Sequence, residues 1–439
     1  MIDLQKLGIG RLSRQTAMVG LSKLVTFGTL LASYFILSRW MERAAFGRYQ
    51  QAWLYIRTIS AVFLLGIPQA ANYFIPGAPP EKRRGYVILF FIMLCGIGAT
   101  CAAASFVFRR EIAIIVGNPD IAGLIPICGL YVCFILPSYM MEPLLIIGQK
   151  VRELFCWTTL SGLLFLGAVL IWGRADGLAP LFVAFTLLAL VRCVITLTRG
   201  FQIYTSTRWS IAGLANRTFY AYIGFLAAIA FVDILTVEID KYLVSHHLGE
   251  ESFALYGIGA MEVPFVMLLL GAVTSIVMPE LTRLLTEKNL DMTIALLHRS
   301  MEKLALFVFP TFFFAFLSSH VFIPLFFGRA YTGSVVIFCI YLFMMPLRVL
   351  NLHPYLLSAG LQRHALTGRL FDFAVNLTLG LMLIRWVGLA GPAISTVAGT
   401  WIQKVYQTRV ACKHLELPLR KIYPWKQFGK IALGTEAAA

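Results

Sequence analysis

The sequence predicts an all-α, polytopic membrane protein with twelve transmembrane helices in two pseudo-symmetric six-helix lobes. Hydrophobic residues make up 59% of the 439 residues, and charged residues only 13%. A soluble globular chain has about 25% charged residues. Apolar runs of about 20 residues, the length that crosses the hydrocarbon core, recur along the whole chain. Between them lie short polar connections that leave no room for a folded extramembrane domain.

Twelve apolar runs predict the individual spans. The first six cover residues 16–38, 49–75, 85–108, 121–147, 154–173 and 179–200. The second six cover residues 219–244, 253–278, 300–326, 333–358, 365–386 and 389–411. Prolines within these runs predict helix kinks, because proline removes a backbone hydrogen bond; they include Pro68, Pro126, Pro137, Pro264 and Pro310.

Lys and Arg predict the orientation of the spans. Cytoplasmic loops of membrane proteins carry an excess of these residues. If the amino terminus lies inside, most Lys and Arg fall in cytoplasmic loops, and both termini are cytoplasmic. This asymmetry also accounts for the net charge of +16. The basic residues are scattered singly between apolar runs, so nucleic acid is not an expected partner.

Short sequence matches indicate an internal repeat. Phe46-Gly-Arg-Tyr49 opens the second span, and Phe253-Ala-Leu-Tyr256 opens the eighth. Gly148-Gln149-Lys150 ends the fourth span, and Gly360-Leu361-Gln362-Arg363 ends the tenth. Since each half has an even number of spans, both halves enter from the same side, and the pseudo-two-fold axis runs along the membrane normal.

The repeat predicts the domain limits. Residues 1–210 form an N-lobe with spans 1–6, residues 211–412 form a C-lobe with spans 7–12, and residues 413–439 form a basic cytoplasmic tail. In the tail, aromatic and basic residues alternate, which suits an amphipathic segment at the membrane interface; they are Tyr423, Trp425 and Phe428 among Lys421, Lys426 and Lys430. A disordered tail is the alternative.

Span 7 carries an unusual group of acidic residues. Asp233, Glu238 and Asp240 lie in an apolar run, and Asp233, Thr236 and Asp240 share one helix face. Ionised groups in hydrocarbon are costly and usually face a wet cavity or a partner. We expect these acids to act in ion coupling or gating, with Asp233 facing the central cavity. Asp240 and Lys241 could instead snorkel to the interface.

Polar stripes on other spans predict a substrate-binding wall. Guanidinium groups suit phosphate, and amides, hydroxyls and aromatic rings suit sugars. The predicted substrate-binding residues are Arg57 on span 2; Arg348, Asn351 and Tyr355 on span 10; Arg369 and Asn376 on span 11; and Gln403 on span 12. The alternative is hydrogen bonding between helices. An ion pair between Arg369 and Asp372 is favoured over a ligand contact, whereas Arg348 is expected to contact the substrate.

The repeat also predicts a gate. Aligning Phe46 with Phe253 brings Arg57 close to the depth of Glu262. One charge from each lobe could close the outer mouth as an ion pair. The alternative is that each residue pairs within its own lobe.

Several classes of enzyme are excluded by missing motifs. The sequence has no phosphate-binding G-x-x-x-x-G-K-[ST] loop, no H-E-x-x-H and no G-x-S-x-G. The eight cysteines form no C-x-x-C pair, and no His has zinc-ligand spacing, so no metal site is expected. A glycan polymerase or ligase would need a long outer loop. The sequence therefore predicts a transporter.

At these residues the chain resembles the polysaccharide-transporter branch, the Wzx-type lipid-linked oligosaccharide flippases, of the multidrug/oligosaccharidyl-lipid/polysaccharide (MOP) exporter superfamily. The resemblance covers residues 10–412 and includes Phe46–Tyr49, Glu238-Ile-Asp240-Lys241, His247-Leu248-Gly249 and Tyr256-Gly257.

The resemblance implies a V-shaped two-lobe fold with a central hydrophilic cavity. It also implies transport of an undecaprenyl-diphosphate-linked glycan from the inner to the outer leaflet of the bacterial cytoplasmic membrane. Energy would come from an H⁺ or Na⁺ gradient or the membrane potential, without a cofactor. Membrane lipids, a polysaccharide polymerase and chain-length proteins are the implied partners. A cation-coupled multidrug exporter of the same superfamily is the main alternative.

Overall fold

The structure is a computed structural model that describes residues 9–203 and 216–434. Every regular element in these residues is a helix. The chain forms two compact units, and the division between them falls inside one long helix. The first unit contains residues 1–234 and 249–251, and the second contains residues 235–248 and 252–439. The lobe boundary expected at residues 210 and 211 lies outside the described residues.

The first unit is built from the helices of the amino-terminal half. Its helices are α1 (Ile9–Trp40), α2 (Arg43–Phe63), α3 (Ile67–Gly77), α4 (Pro80–Val107), α5 (Arg109–Val116), α6 (Ile125–Ser138), α7 (Met141–Ile147), α8 (Val151–Trp172) and α9 (Ala179–Ile203), followed by the first part of α10 (Arg217–Gly259).

The second unit continues from α10. Its further helices are α11 (Pro264–Thr286), α12 (Leu290–Phe327), α13 (Ser334–Leu342), α14 (Met344–Val349), α15 (His353–Ser358), α16 (Gln362–Val387), α17 (Ala390–Leu415), α18 (Leu419–Ile422) and α19 (Trp425–Ala432). The tail is therefore helical over much of its described part.

Ten helical segments in the described residues are long and apolar enough to cross a membrane. They account for ten of the twelve predicted spans. The tenth span is instead divided among α13, α14 and α15. The twelfth corresponds to the 26-residue α17, which is long enough to cross the hydrocarbon core but carries a polar stripe.

Most of the prolines named above begin helices. Pro68, Pro126 and Pro264 each take one of the first two positions of a helix, where the missing N–H would have no helical partner in any case. The expected kinks at these three residues are therefore replaced by helix starts. Pro137 and Pro310 do lie inside α6 and α12.

Gly249 interrupts α10. Its backbone has φ 76° and ψ 179°, a conformation that is essentially restricted to glycine. Helical residues continue to Gly259, residues 260–263 leave the helix, and α11 begins at Pro264. The break at Gly249 falls between the predicted spans 219–244 and 253–278. The break at residues 260–263 lies inside the second of these spans and was not predicted, because it interrupts an otherwise apolar run.

The two halves repeat the same order of elements. Each contains a short 3₁₀ helix that leads into α6 or α13, and each ends in a pair of long helices, α8–α9 or α16–α17. The turns that precede these pairs are closed in the same way. The amide of Lys150 donates to the carbonyl of Leu145, and that of Leu361 to Leu356, both at 2.8 Å. The preceding residue has positive φ in both turns, which is the Schellman arrangement of a helix end.

Candidate functional site

A buried carboxylate lies at the centre of the polar residues in the second unit. Asp240 on α10 is 0% exposed. Its Oδ2 accepts hydrogen bonds from Tyr256 at 2.7 Å and from Tyr341 of α13. Tyr256 follows Asp240 by 16 residues and comes back to it because α10 is broken at Gly249. Two phenol donors stabilise negative charge on a buried carboxylate.

The second oxygen of Asp240 has a different environment. Oδ1 is buried and has no hydrogen-bond partner among the described residues. The ammonium group of Lys241 lies 4.0 Å from it and 3.0 Å from Glu238 Oε2. Lys241 also donates to the carbonyl of Val237. Asp240 therefore retains an acceptor oxygen that can take a proton or contribute to a cation site.

Asn376 connects three helices beside this cluster. It is 0% exposed. Its Oδ1 accepts from Ser395 at 3.0 Å and from Thr396 at 3.2 Å on α17, and its Nδ2 donates to the carbonyl of Thr236 on α10 at 3.4 Å. These bonds match the alternative of hydrogen bonding between helices. A substrate contact at Asn376 stays a prediction.

A second charged cluster joins the connection before α11 to α14, α16 and α17. Arg348 Nη2 lies 2.5 Å from Glu262 Oε1. As the sequence predicts, Arg369 pairs with Asp372, at 3.4 Å. Lys404, which sequence reasoning missed, donates to the carbonyl of Leu350 at 3.3 Å. All three cations act electrostatically on Asp372, so three basic groups meet two acidic ones.

Glu262 therefore has a partner in its own unit. The ion pair with Arg348 matches the alternative that Glu262 pairs within its own lobe. The gate between Glu262 and Arg57 stays a prediction. Arg348 and Glu262 are 86 residues apart in sequence. The spacing rules for helices reach only three or four residues, so they do not reveal this pair.

The predicted stripe on span 10 is interrupted. Arg348 lies on α14 and Tyr355 on α15, and the break between them precedes Pro354, which takes one of the first positions of α15. The helical spacing that placed these residues on one face is lost there. Tyr355 OH contacts His414 Nδ1 at 2.6 Å, and Asn351 Nδ2 donates to Thr274 at 3.2 Å.

Glycines bring α16 and α17 close together. A Cβ at Gly399 would lie 2.5 Å from Asp372 Oδ1, so only glycine allows α17 to approach this carboxylate. Gln403, one turn later, lies against Gly368 of α16. A Cβ added at Gly368 would lie 3.4 Å from the Cγ of Gln403. The predicted contact of Gln403 with substrate stays a prediction.

A small open depression of about 20 Å³ connects the two clusters. Its lining includes Arg348 and Glu262 from the charged cluster and Tyr341 from the Asp240 cluster. Methionines and other apolar side chains cover the rest, among them Met261 and Met345. A ligand that enters this depression would meet a guanidinium group close to a tyrosine that bonds Asp240.

The first unit contains the remaining predicted residues. Arg57 lies on α2, one turn after Trp53, whose ring packs against Tyr131 at 5.5 Å and Phe185 at 5.8 Å. Asp233 is half-buried on α10. Their roles in substrate binding and coupling stay predictions.

Glu250 was not singled out by the sequence pattern. Its carboxylate lies 3.1 Å from Arg48 Nη1 and accepts from Asn118 at 2.7 Å. The backbones of α2 and of the segment at Glu250 are also in contact. A Cβ at Gly47 would lie only 2.1 Å from the carbonyl oxygen of Glu250. The segment just after the Gly249 break is thus fixed to α2 within the first unit.

Solved structures show which fold these helices form. A structure of the lipid II flippase MurJ in an inward closed conformation matches with a TM-score of 0.71 and 14% identity, and covers 94% of this chain and 90% of that one. An inward-facing multidrug resistance MATE family transporter of the MOP superfamily matches with a TM-score of 0.68 and 14% identity, and covers 88% and 94%. At these identities the likeness establishes the fold, which is that of the MOP transporters.

Sequence comparisons identify the family. No curated protein matches the chain. The profile described as polysaccharide biosynthesis protein matches residues 36–336, well over half of the chain. The solved structures that share the fold are a flippase and a transporter, which agrees with the transport role that the sequence predicts. The chain belongs to the polysaccharide biosynthesis protein family.

Proposed function

We propose that the chain is a flippase that moves an undecaprenyl-diphosphate-linked oligosaccharide from the inner to the outer leaflet of the bacterial cytoplasmic membrane. Surface polysaccharide assembly would use the product, through a polymerase and chain-length proteins. The family, and the fold shared with a lipid II flippase, support this proposal. The observation that carries it is the group of Arg348, Arg369 and Lys404 around Asp372.

Three cations in an apolar bundle suit an anionic headgroup. Isolated charges in such a setting are costly and are retained where they pair or meet a ligand. The guanidinium of Arg348 presents a planar fork that matches phosphate oxygens. A glycan headgroup cannot cross hydrocarbon unassisted, since each unsatisfied polar group costs several kcal/mol. Alternating access of a polar cavity to the two sides of the membrane would avoid this cost.

Asp240 is the proposed coupling residue. Its Oδ1 can accept a proton or help to bind Na⁺. Tyr341 bonds the same carboxylate and also lines the depression that reaches Arg348, so it would connect ion binding with substrate binding. Glu238 and Lys241 set the local charge beside it. An ion gradient or the membrane potential would thereby drive the change between inward and outward access.

A cation-coupled multidrug exporter is the second candidate, favoured by the match to a multidrug resistance MATE transporter. Removing the gene from its host distinguishes the two. If the chain is a flippase, removing the gene should abolish surface polysaccharide and cause the lipid-linked precursor to accumulate. Supplying the wild-type chain should reverse both effects. Unchanged polysaccharide combined with new sensitivity to cationic drugs would overturn the flippase and support the exporter.

A further inference from the structure

The carboxyl-terminal tail is fixed to the second unit at three points. His298 Nε2 of α12 lies 3.0 Å from the carbonyl oxygen of Lys421 and 3.1 Å from that of Ile422. The hydroxyl of Tyr423 bonds Thr408 of α17 at 2.5 Å. Phe428 of α19 packs edge-on against Phe309 of α12, with ring centroids 5.8 Å apart.

The phenol of Tyr423 is buried. The loss of water around the phenol raises the pKa of Tyr423 to about 12. The group is therefore neutral and can donate a hydrogen bond to Thr408. The tail is held by buried, specific contacts and not by charge alone.

These contacts define the depth of α19. Lys303 is the last Asp, Glu, Lys or Arg on α12, and the apolar run begins at Leu304. At about 1.5 Å per residue, Phe309 lies roughly 7.5 Å inside the start of that run, and His298 lies roughly 9 Å outside it. A helix whose apolar face is buried about 5–10 Å below the headgroups has the position of an interfacial helix.

The outward side of the tail carries apolar and basic residues together. Trp425 is 49% exposed and Leu433 is 80% exposed. Lys426 and Lys430 are also exposed and lie four residues apart, on one helix face. Residues 417–434 contain no Asp or Glu. At this depth, such a face meets acyl chains on one side and headgroup phosphates on the other.

We propose that residues 419–433 form a binding site for anionic phospholipid headgroups. Trp425 and Leu433 insert among the acyl chains, and Lys426 and Lys430 bind the phosphates of the adjacent leaflet. Arg420 and Lys421, which are exposed on α18, add to the attraction. This site is independent of the transported substrate and of the two charged clusters described above.

Hydrogen exchange of the full-length protein in lipid nanodiscs tests the site. Amides of residues 419–433 should exchange more slowly when phosphatidylglycerol is added to phosphatidylcholine, by about fivefold for each cation that binds. Lys426→Gln with Lys430→Gln should remove this lipid dependence, whereas the two Lys→Arg changes should retain it. Lys82→Gln with Lys288→Gln, two exposed cations outside the tail, serves as the matched control and should retain it too.

Two results would overturn the proposal. One is equal exchange of the wild-type tail in both lipid mixtures, which would mean that packing on α12 accounts for its protection. The other is an equal loss of lipid dependence in the control variant, which would indicate a general effect of net charge. Raising the salt concentration provides a second measurement, and it should weaken the lipid dependence of the wild type.

Discussion

Asp240 has two oxygens with different tasks. Oδ2 is held by Tyr256 and Tyr341, which fixes the orientation of the carboxylate. Oδ1 points into buried surroundings without a donor among the described residues. A coupling residue needs this combination of a fixed position and a free acceptor, because a transported cation or proton must find a site that is already formed.

Replacing the charge at Asp240 should therefore uncouple the transporter. For Asp240→Asn we expect ion-driven transport to fall by roughly tenfold or more, since an amide cannot supply the negative charge that a cation in an apolar site requires. Transport in proteoliposomes with an imposed H⁺ or Na⁺ gradient measures this effect. Asp176→Asn, at an exposed turn between α8 and α9, is the control. Wild-type rates for Asp240→Asn would exclude a coupling role.

Arg348 is either a ligand for the substrate or a structural partner of Glu262, and a double change separates the two. Arg348→Ala should lower transport strongly, and Arg348→Lys should lower it by roughly tenfold, since lysine lacks the planar fork. If Arg348 binds substrate, adding Glu262→Ala to Arg348→Ala leaves transport low. Recovery in the double variant would contradict that role and show that the loss came from an unpaired Glu262.

The sequence revealed the charged residues of these clusters but not most of their partners. Asp240, Arg348 and Glu262 stand out because charges are rare in apolar runs. Their contacts come from residues that are distant in sequence, such as Tyr341, 101 residues from Asp240. A buried tyrosine in an apolar run looks like any aromatic packing residue until the fold places it beside a carboxylate.

At the scale of single helices, α10 depends on one glycine. Gly249→Ala should destabilise the protein by about 1–3 kcal/mol, because its backbone conformation is closed to residues with a Cβ. Nothing lies within 4 Å of a Cβ at this position, so the effect would come from the backbone and not from a clash.

Gly224 offers a control within the same helix. It also has open space around a Cβ, and no positive φ is found there. Gly224→Ala should be neutral or stabilise by up to about 1 kcal/mol, as expected for a glycine inside a helix. Thermal unfolding of the purified protein measures both variants. A Gly249→Ala protein as stable as the wild type would show that the break does not need glycine.

The existence of the helices was predictable, and their breaks were not. Length and apolarity determine a span, so ten predicted spans correspond to long apolar helices. Breaks depend on individual residues. Pro354 stands at the start of α15, inside the predicted tenth span, and residues 260–263 interrupt the predicted eighth span. The average hydropathy of these two runs is that of an ordinary span and does not reveal either break. Prolines identified as kinks proved to be helix starts for a related reason, since composition does not distinguish the first turn from the interior.

For the whole molecule, the repeated order of elements and the distribution of Lys and Arg together predict where the ends of the chain lie. An even number of crossings puts both termini on the side with the larger number of basic residues. A green fluorescent protein fused after residue 439 should fluoresce in cells, because it matures in the cytoplasm. A fusion to alkaline phosphatase at the same point should be inactive. The reverse pattern would show an odd number of crossings or the opposite orientation.

The pair between Arg348 and Glu262 has a consequence for how quickly the transporter can work. If Arg348 binds a phosphate of the substrate as proposed, the incoming group must displace Glu262 from its 2.5 Å contact with Arg348. The loss of the Arg348–Glu262 ion pair would offset part of the attraction between Arg348 and the phosphate, so the affinity for substrate would stay moderate. In the proposed transport cycle, the carboxylate would return to Arg348 on the far side of the membrane and promote release of the substrate. In a carrier whose turnover is limited by substrate release, a competing carboxylate would lower the affinity for substrate and thereby increase the turnover rate.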